Sequence, residues 1–232
     1  MICDHTSQIG GVMDSLPIRV STVNDEVYER LRQWITTGTL LPGMKISIRS
    51  IADSFGVSTM PVREALRRLE SDGLVVFGRR SVTVTLLSTD QVQQVFQIRL
   101  RLEQLAAEWA IDQVDEDDIA DLESILAKMD RPDIGVDEWR HLNQDFHRRF
   151  YDCARSPHLL ELIRNVWDKV EPYMAIYAST VQDFAEAQRQ HSEMLELIRG
   201  RRLSALLTAT AEHLDYTART VVAALEGAAP PK

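Results

Sequence analysis

Ile51-Ala52-Asp53-Ser54-Phe55-Gly56-Val57-Ser58-Thr59-Met60-Pro61-Val62-Arg63-Glu64-Ala65-Leu66-Arg67-Arg68-Leu69-Glu70 is the stretch whose reading decides the fold. Ile51, Ala52 and Phe55, with Ile48 a turn earlier, recur at helical spacing, and Gly56 interrupts them. Ser58 can cap a following helix. Pro61 falls in that helix's first turn, where no backbone donor is needed. Val57, Val62, Leu66 and Leu69 then pack it against its partners, while small Ala52 lets two helices approach closely. Such a pair is a helix-turn-helix, which turns the N-terminal edge of its second helix toward the major groove of DNA. Here that edge carries Ser58, Thr59, Met60 and Arg63. Arg63 suits a guanine edge or a phosphate, and Arg49, at the start of the preceding helix, is placed to meet backbone or base. An arginine-rich helix can equally be a solvated face in a protein that never touches DNA.

Working outward, Val27, Leu31 and Ile35, with Val23 one turn earlier, predict a helix over about residues 22–37. Ser21 or Thr22 can cap its start, Gly38 suits its end, and the turn Leu41-Pro42-Gly43 follows. Asp72-Gly73 stops the third helix. Beyond it, Leu74-Val75-Val76-Phe77 and Val82-Thr83-Val84-Thr85 are short β-prone runs around Gly78-Arg79-Arg80-Ser81. They read as a hairpin with Arg79 and Arg80 at its tip, available to phosphates or the minor groove. Three helices plus this hairpin make residues 16–86 a winged helix-turn-helix, preceded by a disordered tail over residues 1–15.

After residue 86 the character changes. Helical segments are expected at about 89–112, 115–129, 136–154, 157–179, 182–199 and 201–226. Pro132-Asp133-Ile134-Gly135, Ser156-Pro157 and Gly200 supply breaks. The expected fold class is mainly α, with an all-α six-helix bundle over residues 88–226 serving effector binding and dimerisation. Residues 227–232 are expected to be a second disordered tail.

Hydrophobic residues make up 44% of the 232 and charged residues 26%, the balance of a globular chain able to bury a core. No apolar run approaches the length of a bilayer span, and the first fifteen residues lack the basic and apolar segments of a signal peptide. A cytoplasmic location with no membrane partner is the default expectation. Cys3 and Cys153 suggest neither a disulfide framework nor a zinc knuckle. The net charge of −9 hides an asymmetry: residues 16–86 hold 10 Lys/Arg against 7 Asp/Glu, so the acidity belongs to the rest of the chain. A basic module on an acidic body is the distribution expected when one part meets phosphate.

Gly38-Thr39-Leu40-Leu41-Pro42-Gly43-Met44-Lys45-Ile46, then Ile51-Ala52, the run Pro61 through Glu70 and Asp72-Gly73-Leu74-Val75 closely resemble the GntR family of bacterial regulators. Ile98-Arg99, Leu102-Glu103, Asn143, Phe146-His147, Pro157, Leu159, His191 and His213 resemble the FCD ligand-binding domain of its FadR subfamily. Six helices rather than seven resemble the VanR-like branch. The resemblance implies a homodimer on a palindromic DNA operator, repression as the default, and release or rearrangement when a small metabolite binds. Two positions depart from the family pattern. Thr59 stands where an arginine commonly reads a base, and its methyl suits a thymine methyl; Ser81 stands where the wing often has glycine.

From the residues alone, His147, His191 and His213 could simply be hydrogen-bonded core. The resemblance implies a divalent metal, such as zinc or nickel, held by three histidines and an acidic residue. Here the acidic position is Asn143, four residues from His147 on one helix face. A neutral amide leaves the ion's charge uncompensated, which weakens metal affinity and favours an anionic effector, a small organic or sugar acid. Arg99 stands at the family's ligand-contacting arginine and suits a carboxylate. Tyr173 and Tyr177 are further candidates for the effector pocket, though aromatics at that spacing also pack cores. Two other functions compete: a metal-dependent hydrolase or lyase, and a helical protein-interaction module. No His-Glu-x-x-His pattern or identifiable general base supports an enzyme.

Overall fold

The computed structural model describes residues 22–79, 81–180 and 184–227. The tail over 1–15, Ser21, wing residue Arg80 and residues 228–232 lie outside the described residues, as does the side chain of Tyr177. In chain order the elements are α1 (Val23–Thr36), β1 (Lys45–Ile46), α2 (Ile48–Phe55), α3 (Thr59–Ser71), β2 (Val75–Phe77) and β3 (Val82–Val84). The helices α4 (Thr89–Ala110), α5 (Glu116–Met129), α6 (Val136–Asp152), α7 (Pro157–Thr180), α8 (Ala185–Arg199) and α9 (Leu203–Gly227) follow.

The first three helices start and stop where local chemistry directs. Thr22 and Asp25 form a reciprocal capping box at α1, and the Ser47 hydroxyl accepts from the Ser50 amide at α2. Gly56 ends α2 in the left-handed region at φ 66°, which the tight turn into α3 requires. Ser58 occupies the N-cap position of α3, but its side chain makes no cap hydrogen bond, contrary to the sequence expectation. Gly73 closes α3 at φ 78°, with the Leu74 amide donating back to the Leu69 carbonyl at 2.8 Å.

Val27, Leu31 and Ile35 are buried as the stripe on α1 requires. Val23, expected as its first member, is instead 55% exposed, because the first turn of α1 borders an open cleft. The strands form one antiparallel sheet in the order β1-β3-β2, registering Lys45 with Thr83 and Val75 with Val84. The sequence reading missed β1. Two residues carry no alternation to detect, and the strand exists because β3 offers it a free edge. Leu31, Val62, Ala65, Leu66 and Leu69 are fully buried and pack with Val75, Val82 and Val84 into one core.

The six later helices appear in the expected order, with α9 running through Gly227, one residue into the expected tail. Ser88 with Gln91 and Asp115 with Asp118 form capping boxes at α4 and α5. A large core around Trp139, Phe146, Phe150, Tyr151 and Ile198 holds α4–α6 against α8 and α9. A smaller one around Phe96, Val170, Tyr173 and Val221 joins α4, α7 and α9. Helix α7 also reaches α1: Asp168 accepts from the Arg32 Nε and Nη2 at 2.8 and 2.6 Å. Among the described residues no helix is long and apolar enough to cross a membrane.

Candidate DNA-binding face and effector site

On the helix-turn-helix, Arg49, Ser58, Thr59, Met60 and Arg63 are all exposed, gathered at the N-terminal ends of α2 and α3. Met60 is 63% exposed, an apolar side chain left largely open to solvent. The arginines of this region divide into two groups. Arg67 pairs with Glu70 at 2.9 Å and lies over the Phe77 ring. Arg68 pairs with Asp25 at 2.7 Å and lies over Tyr28. Among the described residues, Arg49, Arg63 and Arg79 form no ion pair, so their guanidinium groups are uncommitted. Arg79 is exposed on the wing; its neighbour Arg80 lies outside the described residues.

The second site is interior. His147 on α6, His191 on α8 and His213 on α9 converge, with one ring nitrogen from each lying within 4.8 Å of the others. The Nε2 atoms of His147 and His191 are 3.1 Å apart. Gln190 Oε1 lies 2.8 Å from His213 Nδ1, so that nitrogen carries the proton and Nε2 keeps its lone pair. His191 Nδ1 is buried without a partner in strict hydrogen-bond geometry, although the Ala187 backbone, one turn earlier, favours the protonated imidazole.

Burial pushes the His213 imidazole down to about 4, and positive Arg99 adds to this against the pull of Glu103. Burial also drives His147 and His191 well below their ordinary value, with neighbouring imidazoles as the next cause. Three buried neutral imidazoles are the state a transition-metal ion needs in its ligands, without prior loss of a proton. The donor set therefore fits a zinc- or nickel-like ion.

Arg99, Asn143, His147 and Met174 line two small adjoining cavities beside the triad, each about 20 Å³. Trp139, His213 and Thr217 also line one; Gln144, Trp167 and Glu171 also line the other. Arg99 Nε donates to Glu103 Oε1 at 2.9 Å, and both side chains are buried. Tyr151 Oη and Trp167 Nε1 also donate to Glu103, at 2.9 and 2.8 Å. Burial and the adjacent Glu103 raise the Tyr151 phenol well above its ordinary value, so it stays a donor. Glu103 thus fixes one edge of the Arg99 guanidinium.

Two contributors were missed in the sequence. The Glu103 role had a visible trace, an Arg–Glu pair at i,i+4. Gln190 had none, since its partner is 23 residues away on another helix. Tyr173 is buried but lies outside both cavity walls; its hydroxyl accepts from the Leu87 amide at 2.7 Å.

Comparison with known proteins agrees with both halves. The family model described as bacterial regulatory proteins, gntR family, matches residues 23–84, and that of the FCD domain matches residues 94–216. The chain is 33% identical over 196 residues to the HTH-type transcriptional regulator YdhC of Bacillus subtilis (strain 168), covering 82% of this chain and 87% of that one. It is 27% identical over 184 residues to the HTH-type transcriptional regulator McbR of Escherichia coli (strain K12), covering 76% and 81%. The solved structure of E. coli McbR/YncC superposes with a TM-score of 0.76 at 23% identity over 87% of this chain and 98% of that one, which establishes the fold.

Proposed function

This chain belongs to the gntR family of bacterial regulatory proteins and carries an FCD domain, and from that premise we propose that a small carboxylate metabolite, bound beside a metal in the FCD domain, controls its hold on DNA. It is a DNA-binding transcription regulator. The finer reading is a repressor that acts as a homodimer on a palindromic operator in the cytoplasm. Arg63 and Arg49 would meet base edges and phosphate, Ser58, Thr59 and Met60 the groove surface, and Arg79 with Arg80 the flanking backbone.

The observation that carries the effector reading is the convergence of Arg99, Asn143, His147 and His213 on small cavities in the bundle, with His191 completing the histidine triad beside them. His147, His191 and His213 would hold the ion, with the Asn143 amide as a neutral fourth donor. When bound, the ion supplies a Lewis-acidic anchor for an anion. The free edge of Arg99 would take the effector's carboxylate, held in orientation by Glu103. Tyr173 would act from behind the wall, through the Leu87 amide, and not as a contact; Tyr177 remains a candidate contact.

An enzyme is disfavoured because the carboxylates at this site are already engaged, Glu103 by Arg99, Tyr151 and Trp167, and Glu171 by Arg140 and Gln144. Elemental analysis of tag-free protein, with a thermal-shift screen of organic and sugar acids with and without zinc, tests the reading. Stoichiometric metal and an acid whose stabilisation needs both metal and Arg99 are expected. Protein that takes up neither zinc nor nickel overturns the metal; acids that stabilise Arg99→Met as well as wild type overturn the contact.

A further inference from the structure

The two cavities hold about one water-sized group each. A metabolite therefore enters only by moving a wall. One wall is Glu171, and Glu171 faces two ways. It lines the cavity beside Asn143 and His147, and it lines a cleft of about 620 Å³ between the helical bundle and α1. We propose that Glu171 and Arg140 are the positioning pair that transmits filling of the Arg99–Asn143–His147 cavity to helix α1 of the DNA-binding region. This rests on the reading of that cavity as the effector site.

The geometry is specific. One Glu171 oxygen accepts from Gln144 Nε2 at 2.5 Å, and Gln144 is itself a wall of both cavity and cleft. The other accepts from Arg140 Nη2 at 2.6 Å. The same Nη2 donates at 3.1 Å to the carbonyl of Thr36, the last residue of α1. A cation at a helix C-terminus satisfies a carbonyl that has no intrahelical partner and complements the helix dipole. Arg140 is only 6% exposed, yet its Nε has no hydrogen-bond partner. Its remaining contact is Asp137 at 3.4 Å, whose side chain is 83% exposed. A buried guanidinium held this incompletely depends on Glu171 for its position.

Arg140, Asn143, Gln144 and His147 lie along one face of α6, spanning about 10 Å of helix. Helix α7 repeats the logic. Met174 and Glu171 meet the cavity, Asp168 holds Arg32 of α1, and Lys169 donates to the Asp72 carbonyl that caps α3 at 3.1 Å. Displacing Glu171 toward an incoming ligand would release Arg140 from Thr36 and loosen the seat of α1, against which α3 packs.

Hydrogen exchange read by mass spectrometry on the full chain tests this, with zinc as the probe. In wild type, zinc should protect the α6 peptide around His147 and change exchange in the last turn of α1 by at least about threefold. In Glu171→Gln, the last turn of α1 should exchange at least about threefold faster before zinc is added, and zinc should leave it unchanged while still protecting α6. Asp137→Asn, which alters only the exposed partner, should match wild type. Arg140→Lys, which keeps the cation, should retain part of the zinc response that Arg140→Met loses, a difference a merely structural role would not require. A zinc effect that reaches α1 equally in wild type and Glu171→Gln overturns the relay and leaves the metal site standing. If zinc protects nothing, the metal reading fails by itself: faster α1 exchange in Glu171→Gln then still supports the contact, and unchanged exchange overturns it too.

Discussion

Lowering the pH from 7.5 to 5 should destabilise the metal-free protein through its buried histidines. Burial holds His213 at about 4 in the fold, against an ordinary value of 6.5. Between those values the unfolded chain binds a proton that the folded chain refuses. Stability is therefore intact above pH 6.5 and falls as the pH drops toward 4. Each unit of difference corresponds to about 1.4 kcal/mol, and at pH 5 the share from His213 comes to about 2 kcal/mol. His147 and His191 are depressed in the same direction and add to it. For a chain of this size, about 2 kcal/mol corresponds to a fall of about 4–8 °C in melting temperature. The window ends above the range where Asp25 and Asp118, lowered by their hydrogen bonds, begin to take up protons. Thermal melts in chelator across this range, for wild type and His213→Gln, provide the assay. The variant should lose about 2 kcal/mol of the pH dependence. A melting temperature that is flat from pH 7.5 to 5, or one that falls equally in the variant, would refute the buried neutral triad.

Arg63→Ala should cost about 1–3 kcal/mol of operator affinity in a gel shift at fixed salt, whereas Arg67→Ala, already committed to Glu70 and Phe77, should leave that affinity nearly unchanged. Equal losses from the two would dissolve the distinction between free and paired arginines. Glu103→Ala strands Arg99 in the bundle interior and should cost about 3–5 kcal/mol in denaturant titration; a loss below about 1 kcal/mol would mean that water already reaches the pair. Gly73→Ala should destabilise by about 1 kcal/mol or more. Its φ is 78°, which an alanine adopts only with strain, while the Lys169 Nζ that a Cβ would meet at 2.7 Å ends a flexible side chain. A neutral outcome there would show that the end of α3 relaxes out of the left-handed region.

The helix-turn-helix was legible because three local signals agree over twenty residues: 3.6-residue apolar spacing, a glycine where the turn needs positive φ, and a proline in a first turn. What was not legible depends on partners distant in sequence. Strand β1 has two residues and is defined by its pairing with β3. Ser58 has a good cap residue's chemistry but spends none of it on α3. Asn143 and His147 share a face by spacing alone. Bringing His191 and His213 to them depends on how α8 and α9 cross α6, which only the resemblance implied. Tyr173 shows the limit of periodicity: position on α7 did not reveal that its hydroxyl would hold the Leu87 amide at the junction between the two units. The net acidity of the chain lies outside residues 16–86, which are themselves basic.

The most direct test of ligand-controlled DNA binding is fluorescence anisotropy on a labelled fragment of the DNA flanking the protein's own gene, titrated with the full chain over unlabelled unrelated DNA. The account predicts saturable binding by two chains per fragment, weakening as salt rises and counterions are released, and reversed by an acid that also raises the melting temperature. Equal affinity for the flanking and the unrelated fragments, untouched by any such acid, would contradict it.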